Sequence, residues 1–225
     1  MQRFAVTVLA MGLATAGGLQ ILRAQAPAIA PPQMPGGLAG KVYLSGENPG
    51  ITLREKSGSP VLASVSYWRV HWSPVGAGPV CYITTGDGSS ASDVRVAIFD
   101  NQKLYELITN DIFKVFNESY RTRPFTPVPG GKFRSTGDSV TERSEYCDSD
   151  RYNVELSWRK LGAPTLISRD PGRPENPFGL VYLMIPSADA EIKVNGKKLP
   201  GSVFPTPQGT GGAILAFGET WRRLQ

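Results

Sequence analysis

The chain has 225 residues, 40% of them hydrophobic and 19% charged, a balance that excludes a disordered polypeptide and allows one domain with a sizeable core. Gly (25) and Pro (19) exceed ordinary usage, so the backbone turns often and long helices are few. The formal charge of +5, which falls to +3 if Arg3 and Arg23 leave with an N-terminal segment, is too mild to argue for a nucleic-acid partner.

Arg3, an uncharged apolar run over 4–13 and then small residues come in the order of a secretory signal. Residues 1–26 are therefore expected to be a signal peptide or an N-terminal membrane anchor. Ala14-Thr15-Ala16 and Ala24-Gln25-Ala26 are the cleavage candidates, while the 19 uncharged residues of 4–22 reach the length of a bilayer-spanning helix. Both outcomes place the folded domain outside the cytoplasm, periplasmic or secreted, or tethered to a membrane with the domain outside. Residues 27–40 hold Pro27, Pro31, Pro32 and Pro35 with Gly36, Gly37 and Gly40, and are expected to form an extended tether. Residues 41–225 are expected to be a single β-rich domain.

Within it, a first short strand is expected at 41–44. Residues 61–72 alternate, with Trp68, Val70 and Trp72 on one face and Tyr67, Arg69 and His71 on the other, which predicts a long strand. Shorter strands are expected at 80–84 and 94–99. Leu104, Leu107, Ile108, Ile112, Val115 and Phe116 then recur at helical spacing, and the run reaches Asn117 without Gly or Pro. That predicts an amphipathic helix of about four turns capped by Asp100. Residues 121–132 and 162–179 are rich in Pro and Gly and are expected to be irregular. Between them come strands at 139–145 and 151–159, the second with Tyr152, Val154, Leu156 and Trp158 facing the core. The uniformly apolar 180–185 predicts a central strand covered on both faces, with the helix lying on it. Asn195-Gly196 joins 191–194 to 197–199 in a hairpin, because both residues accept positive φ. A last strand is expected at 214–217. The fold class is thus mainly β with one α-helix (α+β): an antiparallel sandwich or curved sheet of about eight strands with the helix packed on one face.

The only cysteines, Cys81 and Cys147, predict a disulfide in an exported chain, with two free buried thiols as the alternative. Closing that span is worth about 4 kcal/mol in the chain-entropy model. Zinc lacks ligands, since His71 is the sole histidine and no Cys-x-x-Cys occurs. Asp148 and Asp150 beside Glu145, and Asp87 with Asp93, offer calcium oxygens but match no EF-hand pattern, so solvated turns are expected and no metal or cofactor is assigned.

For catalysis, His71 with Tyr67 and Arg69 is the one candidate cluster, opposed by the plainer reading of an exposed histidine beside a sheet. Ser157-Trp158-Arg159-Lys160 matches a Ser-x-x-Lys string, yet in a strand its serine and lysine point to opposite faces. Glu142 and Glu145 fail as a glycosidase pair for the same reason. Gly209-Thr210-Gly211-Gly212 lacks the lysine of a phosphate loop, and Asn117-Glu118-Ser119 fits a glycosylation acceptor.

Arg121, Arg123, Lys132 and Arg134, interleaved with Phe125, are the ligand-binding candidates, because such a mixture grips an anionic polymer, phosphate head group or cell-wall chain. The functional expectation is a non-catalytic exported module that binds a ligand or partner at the cell envelope. The alternatives are an extracytoplasmic hydrolase using carboxylates or the Tyr67, Arg69 and His71 face, and a structural subunit of an envelope assembly.

Overall fold

Period-two alternation builds this molecule almost throughout. The computed structural model describes residues 40–86, 93–113, 123–169, 178–204 and 212–223, which hold thirteen strands and one helical segment. The chain divides into two units, and all described residues fall in the second, Pro35–Gln225. The leader, most of the tether, Asp87, the Asn117 acceptor, Arg121 and residues 209–211 lie outside the described residues.

One layer is built from the first half of the chain. Strands β1 (Gly40–Glu47), β2 (Gly50–Arg54), β3 (Val61–Trp72), β4 (Gly78–Thr85) and β5 (Arg95–Phe99) pair antiparallel, with β3 central. Strand β6 (Thr126–Pro129) adds to β5 in parallel. The second layer holds β7 (Lys132–Gly137), β8 (Glu142–Asp148) and β9 (Asn153–Leu161), each antiparallel to the next.

Strand β11 (Phe178–Val194) belongs to both layers. Its first half, through Pro186, pairs with β13 (Ala213–Arg223) and its second half, from Ser187, pairs with β9. A strand that bends and changes partners turns the corner of a two-layer β structure. At the opposite corner the chain crosses from β6 to β7 through Gly131, whose N–H donates to the Phe99 carbonyl at 2.9 Å. The remaining strands, β10 (Thr165–Arg169) and β12 (Lys197–Lys198), pair with β11. Asn195 (φ 52°) and Gly196 (φ 74°) make the expected tight hairpin.

The two layers enclose the main core. Inward residues of the first, among them Val65, Tyr67, Cys81 and Ile98, meet Cys147, Val154, Leu156 and Trp158 of the second. A second core lies on the outer face of the first layer, where Trp68, Val70, Tyr82 and Phe99 are covered by helix α1 (Gln102–Leu107) and the π-helical segment Ile108–Phe113. The architecture is therefore a β-sandwich with a helix on one face, as the sequence pattern predicts.

Several expectations need correction. The helix cap is Asn101, whose side-chain oxygen accepts from the Leu104 N–H at 3.2 Å, and not Asp100. The helix widens into π turns, which brings Phe113 as well as Ile112 onto the buried side. It packs on β3, β4 and β5, not on 180–185. That apolar stretch is flanked by β13 and β10 and is not covered throughout: Tyr182 and Ile185 are buried while Leu183 is 39% exposed. The segments read as irregular contain β6 and β10. Prolines at 127 and 129 are tolerated because β6 is an edge strand, where a missing N–H leaves no ladder partner unsatisfied. Strand β8 begins at Glu142 and not at 139, and the described residues hold thirteen strands where about eight are expected.

Candidate functional site

Two strands that face one another across the sandwich build the site. On β3 the inward positions are Tyr67, Arg69 and His71, and on β8 they are Cys147, Glu145 and Arg143. Both stripes run from the core to the open end of the sandwich. Tyr67, Cys147 and Glu145 are fully buried, the Arg143 side chain is 10% exposed, that of Arg69 28% and that of His71 58%.

Charges pair in sequence along these stripes. Arg69 Nη2 donates to Glu145 Oε2 at 2.6 Å, to the Tyr67 hydroxyl at 3.1 Å and to the Ser135 hydroxyl, which itself donates to Glu145 Oε2 at 2.7 Å. Arg143 Nε donates to Glu145 Oε1 at 2.7 Å, and its Nη2 pairs with Glu47. His71 Nε2 lies 3.4 Å from Glu47 Oε1 at the solvent end. Two arginines thus balance two glutamates, as burial of Glu145 requires. Sequence alternation predicts the Tyr67, Arg69 and His71 face; it does not reveal the partners, because Glu47, Ser135, Arg143 and Glu145 come from strands distant in the chain.

An open cleft of ≈ 540 Å³ lies over this network, lined by Tyr67, Arg69, Asp100, Phe133 and Ser135 among others. The Tyr67 and Phe133 rings stand 6.3 Å apart. Gly131 forms part of the wall, and an added Cβ there would meet the Phe133 ring at 2.6 Å, so the crossing from β6 to β7 takes glycine for lack of space. Arg69 spends only Nη2 on its neighbours; among the described residues its Nε and Nη1 have no hydrogen-bond partner. Burial alone would lower the Arg69 pKa, but the Tyr67 hydroxyl and the Glu145 charge raise it overall, so it is a permanent cation. Burial, then the Glu145 charge, push the Tyr67 hydroxyl far above its ordinary range, so it stays protonated. Burial also raises the Asp100 carboxyl.

The sequence-predicted basic cluster is divided between two places. Arg134 adjoins the cleft in the chain, between Phe133 and Ser135, but its guanidinium stacks 3.6 Å from the centre of the Tyr146 ring on the outward face of β7 and β8, where exposed Lys132 also lies. Phe125 is a core residue, 5% exposed, packed at 5.0 Å from the Tyr82 ring beneath the Arg95 guanidinium. Exposed Arg123 lies beside it and offers its carbonyl to Arg95 Nε at 2.8 Å. Phe125 is therefore unavailable for surface contact: hydrophobic burial against the helix-side core claims the ring.

Among the described residues the other sequence candidates do not assemble into sites. Ser157 is buried beside Ser144 while Lys160 is exposed, and Glu142 is exposed while Glu145 is buried, so neither pair meets. Asp148 accepts from Asn153 Nδ2 at 2.7 Å, and no cluster of three metal-capable side chains occurs among the described residues. No helix among them is long and apolar enough to cross a membrane. Cys81 and Cys147 are free thiols rather than a disulfide, both buried in the main core.

Burial, then the neighbouring Cys81 thiol, raise the Cys147 thiol well above its ordinary value of 9.0, and burial raises Tyr182 as well as Tyr67. An acid whose pKa is raised by folding contributes stability that is complete below the unfolded pKa and is lost as pH rises toward the folded one. For the reduced protein, the urea midpoint is therefore expected to hold steady up to pH about 9 and to fall above it. Tyrosinate absorbance from the buried rings should appear only with unfolding. A midpoint that stays constant through the alkaline range would contradict this.

The chain matches no protein-family model, no curated protein and no solved structure.

Proposed function

We propose that the chain is an exported envelope protein that binds a small anionic ligand, through a carboxylate or phosphate group, in the cleft beside Arg69, without catalysing a reaction. The observation that carries this reading is the Arg69 side chain lining an open cleft, its guanidinium held through Nη2 while Nε and Nη1 have no partner among the described residues. A pre-oriented arginine with unused donors is suited to oxyanions. Phe133 supplies an apolar wall. The Tyr67 hydroxyl, held protonated, and the Glu145 carboxylate, held between two guanidiniums, are poorly suited to act as nucleophile or base.

Export rests on the leader-like residues 1–26 and the tether of 27–40, and oxidation of Cys81 and Cys147 belongs to the same reading.

Titration with inorganic phosphate and with acetate, followed by the backbone amide resonances of the cleft in every protein and by the Arg69 Nε–H resonance in those that retain it, tests the site. Binding is expected to weaken about tenfold or more in Arg69→Met, as for loss of a charged hydrogen bond, and less in Arg134→Ala. Equal binding by the wild type and Arg69→Met, with the fold intact by circular dichroism, would move the site elsewhere.

The hydrolase alternative draws on one specific observation, that the Tyr67 and Arg69 face lines a concavity. It requires that any activity found be lost in His71→Ala. The structural-subunit alternative draws on Leu166 (68% exposed) and Leu183, which pair across β10 and β11 in an uncovered apolar contact.

A further inference from the structure

Four side chains at the meeting of the layers form a square. Tyr67 and Cys81 are directly paired neighbours on β3 and β4, and Phe133 and Cys147 are paired neighbours on β7 and β8. Paired residues project to the same face of their sheet. Across the gap between layers, the Tyr67 ring meets Phe133 at 6.3 Å while Cys81 and Cys147 lie buried in the same core cluster, near enough for each thiol to act on the other. The aromatic edge of the square walls the cleft, and the sulfur edge lies directly behind it.

We propose that Cys81 and Cys147 close into an inter-layer disulfide while the chain is still unfolded or only partly folded, and that this bond clamps the Tyr67 and Phe133 walls of the ligand cleft. The effect on ligand rests on the anion-binding reading above; the bond itself does not. The chemistry is thiol–disulfide exchange with a small or enzyme-borne disulfide as the oxidant. One cysteine thiolate attacks the oxidant, giving a mixed disulfide and releasing one thiol; the second attacks the mixed disulfide, giving the Cys81–Cys147 bond and releasing the other. Two electrons pass to the oxidant, and the two protons lost by the cysteines end on its two thiols.

The timing is set by burial. Both cysteines are 0% exposed, so an oxidant reaches neither while the sandwich is closed. Burial also raises the Cys147 thiol, which removes the reactive thiolate from the native state. Oxidation must therefore accompany folding or wait for an opening of the layers, and the same enclosure protects the finished bond from reductants. The clamp is a matter of geometry: a covalent link between β4 and β8 holds the layers together one residue pair behind the rings that set the cleft's width.

The test uses the full chain. In one arm the reduced, denatured protein is refolded with oxidised glutathione; in the other the native reduced protein is incubated with the same oxidant. Intact mass and thiol titration after denaturation report the bond. Refolded protein is expected to lose both thiols, and native protein to lose them only at its rate of unfolding. Persistence of both thiols after oxidative refolding, or rapid oxidation of the closed native form, would overturn the proposal. The clamp is read as the Tyr67-to-Phe133 ring cross-relaxation and as affinity for inorganic phosphate, comparing the bridged chain with the Cys81→Ala, Cys147→Ala double variant. Stronger cross-relaxation and several-fold tighter phosphate binding in the bridged chain support it. Identical ring contacts in the two overturn the clamp. Absence of phosphate binding in both, with the ring difference present, sinks the anion-site reading and leaves the bond and clamp standing.

Discussion

Replacing Glu145 with alanine is expected to destabilise the protein by about 3–5 kcal/mol, the range for removing one partner from a buried ion pair. The Glu145 side chain is fully buried and accepts from Arg69, Arg143 and Ser135. Its loss strands two guanidiniums at the open end of the sandwich, Arg143 at 10% exposure and Arg69 at 28%, and only Arg143 keeps a second carboxylate, Glu47. The cost arises from uncompensated charge rather than from lost attraction. The triple variant Arg69→Met, Arg143→Met, Glu145→Leu should therefore recover part of the loss, because it removes both stranded guanidiniums and leaves only Glu47, 14% exposed beside His71, to desolvate. Urea unfolding of the three proteins decides it. A triple variant no more stable than Glu145→Ala would show that the network contributes net attraction, contrary to this account.

Trp158→Ala is expected to cost about 3–5 kcal/mol, the range for deleting a buried aromatic ring. Trp158 is 0% exposed on β9 and stands opposite Ala190 of β11, whose small side chain leaves room for the indole. Its Nε1–H donates to the Gly50 carbonyl of β2 at 3.1 Å, so one side chain links the second layer to the first. Alanine leaves both a cavity and a half-buried carbonyl without the indole donor. Trp158→Phe should lose less, about 1–2 kcal/mol, because it keeps much of the packing and gives up mainly the hydrogen bond. Equal losses in the two variants would assign the whole effect to the hydrogen bond and contradict the cavity argument. Chemical denaturation with calorimetry as a second probe separates these outcomes.

The two variants test features of unequal visibility in the sequence. Trp158 belongs to the plainest strand in the chain, where Val154, Leu156 and Trp158 alternate with polar residues, and all three are buried. Tyr67, Arg69 and His71 are readable as one face for the same reason, and the structure does place them on one face. Glu145 is different. It sits between Arg143 and Cys147 in the same alternating set, which signals a charged residue on an inward stripe, yet its burial depends on Arg69, 76 residues away. The proline-rich segment misleads in the opposite direction: its composition suggests a surface loop, but Phe125 is core and Thr126–Pro129 is an edge strand.

What the sequence alone determined are properties carried by neighbours in the chain: strand periodicity, the Asn195-Gly196 hairpin, the existence of the amphipathic segment and the inward or outward sense of alternate residues. Local sterics and burial of one face settle these within a few residues. Tertiary structure decided what depends on partners far along the chain: that β11 serves both layers, that the helix covers β3 to β5, that two arginines neutralise Glu145, and that Cys81 meets Cys147. Alternation assigns a side chain to a face and is silent on what the opposite layer brings to meet it, because that depends on how strands distant in sequence are stacked.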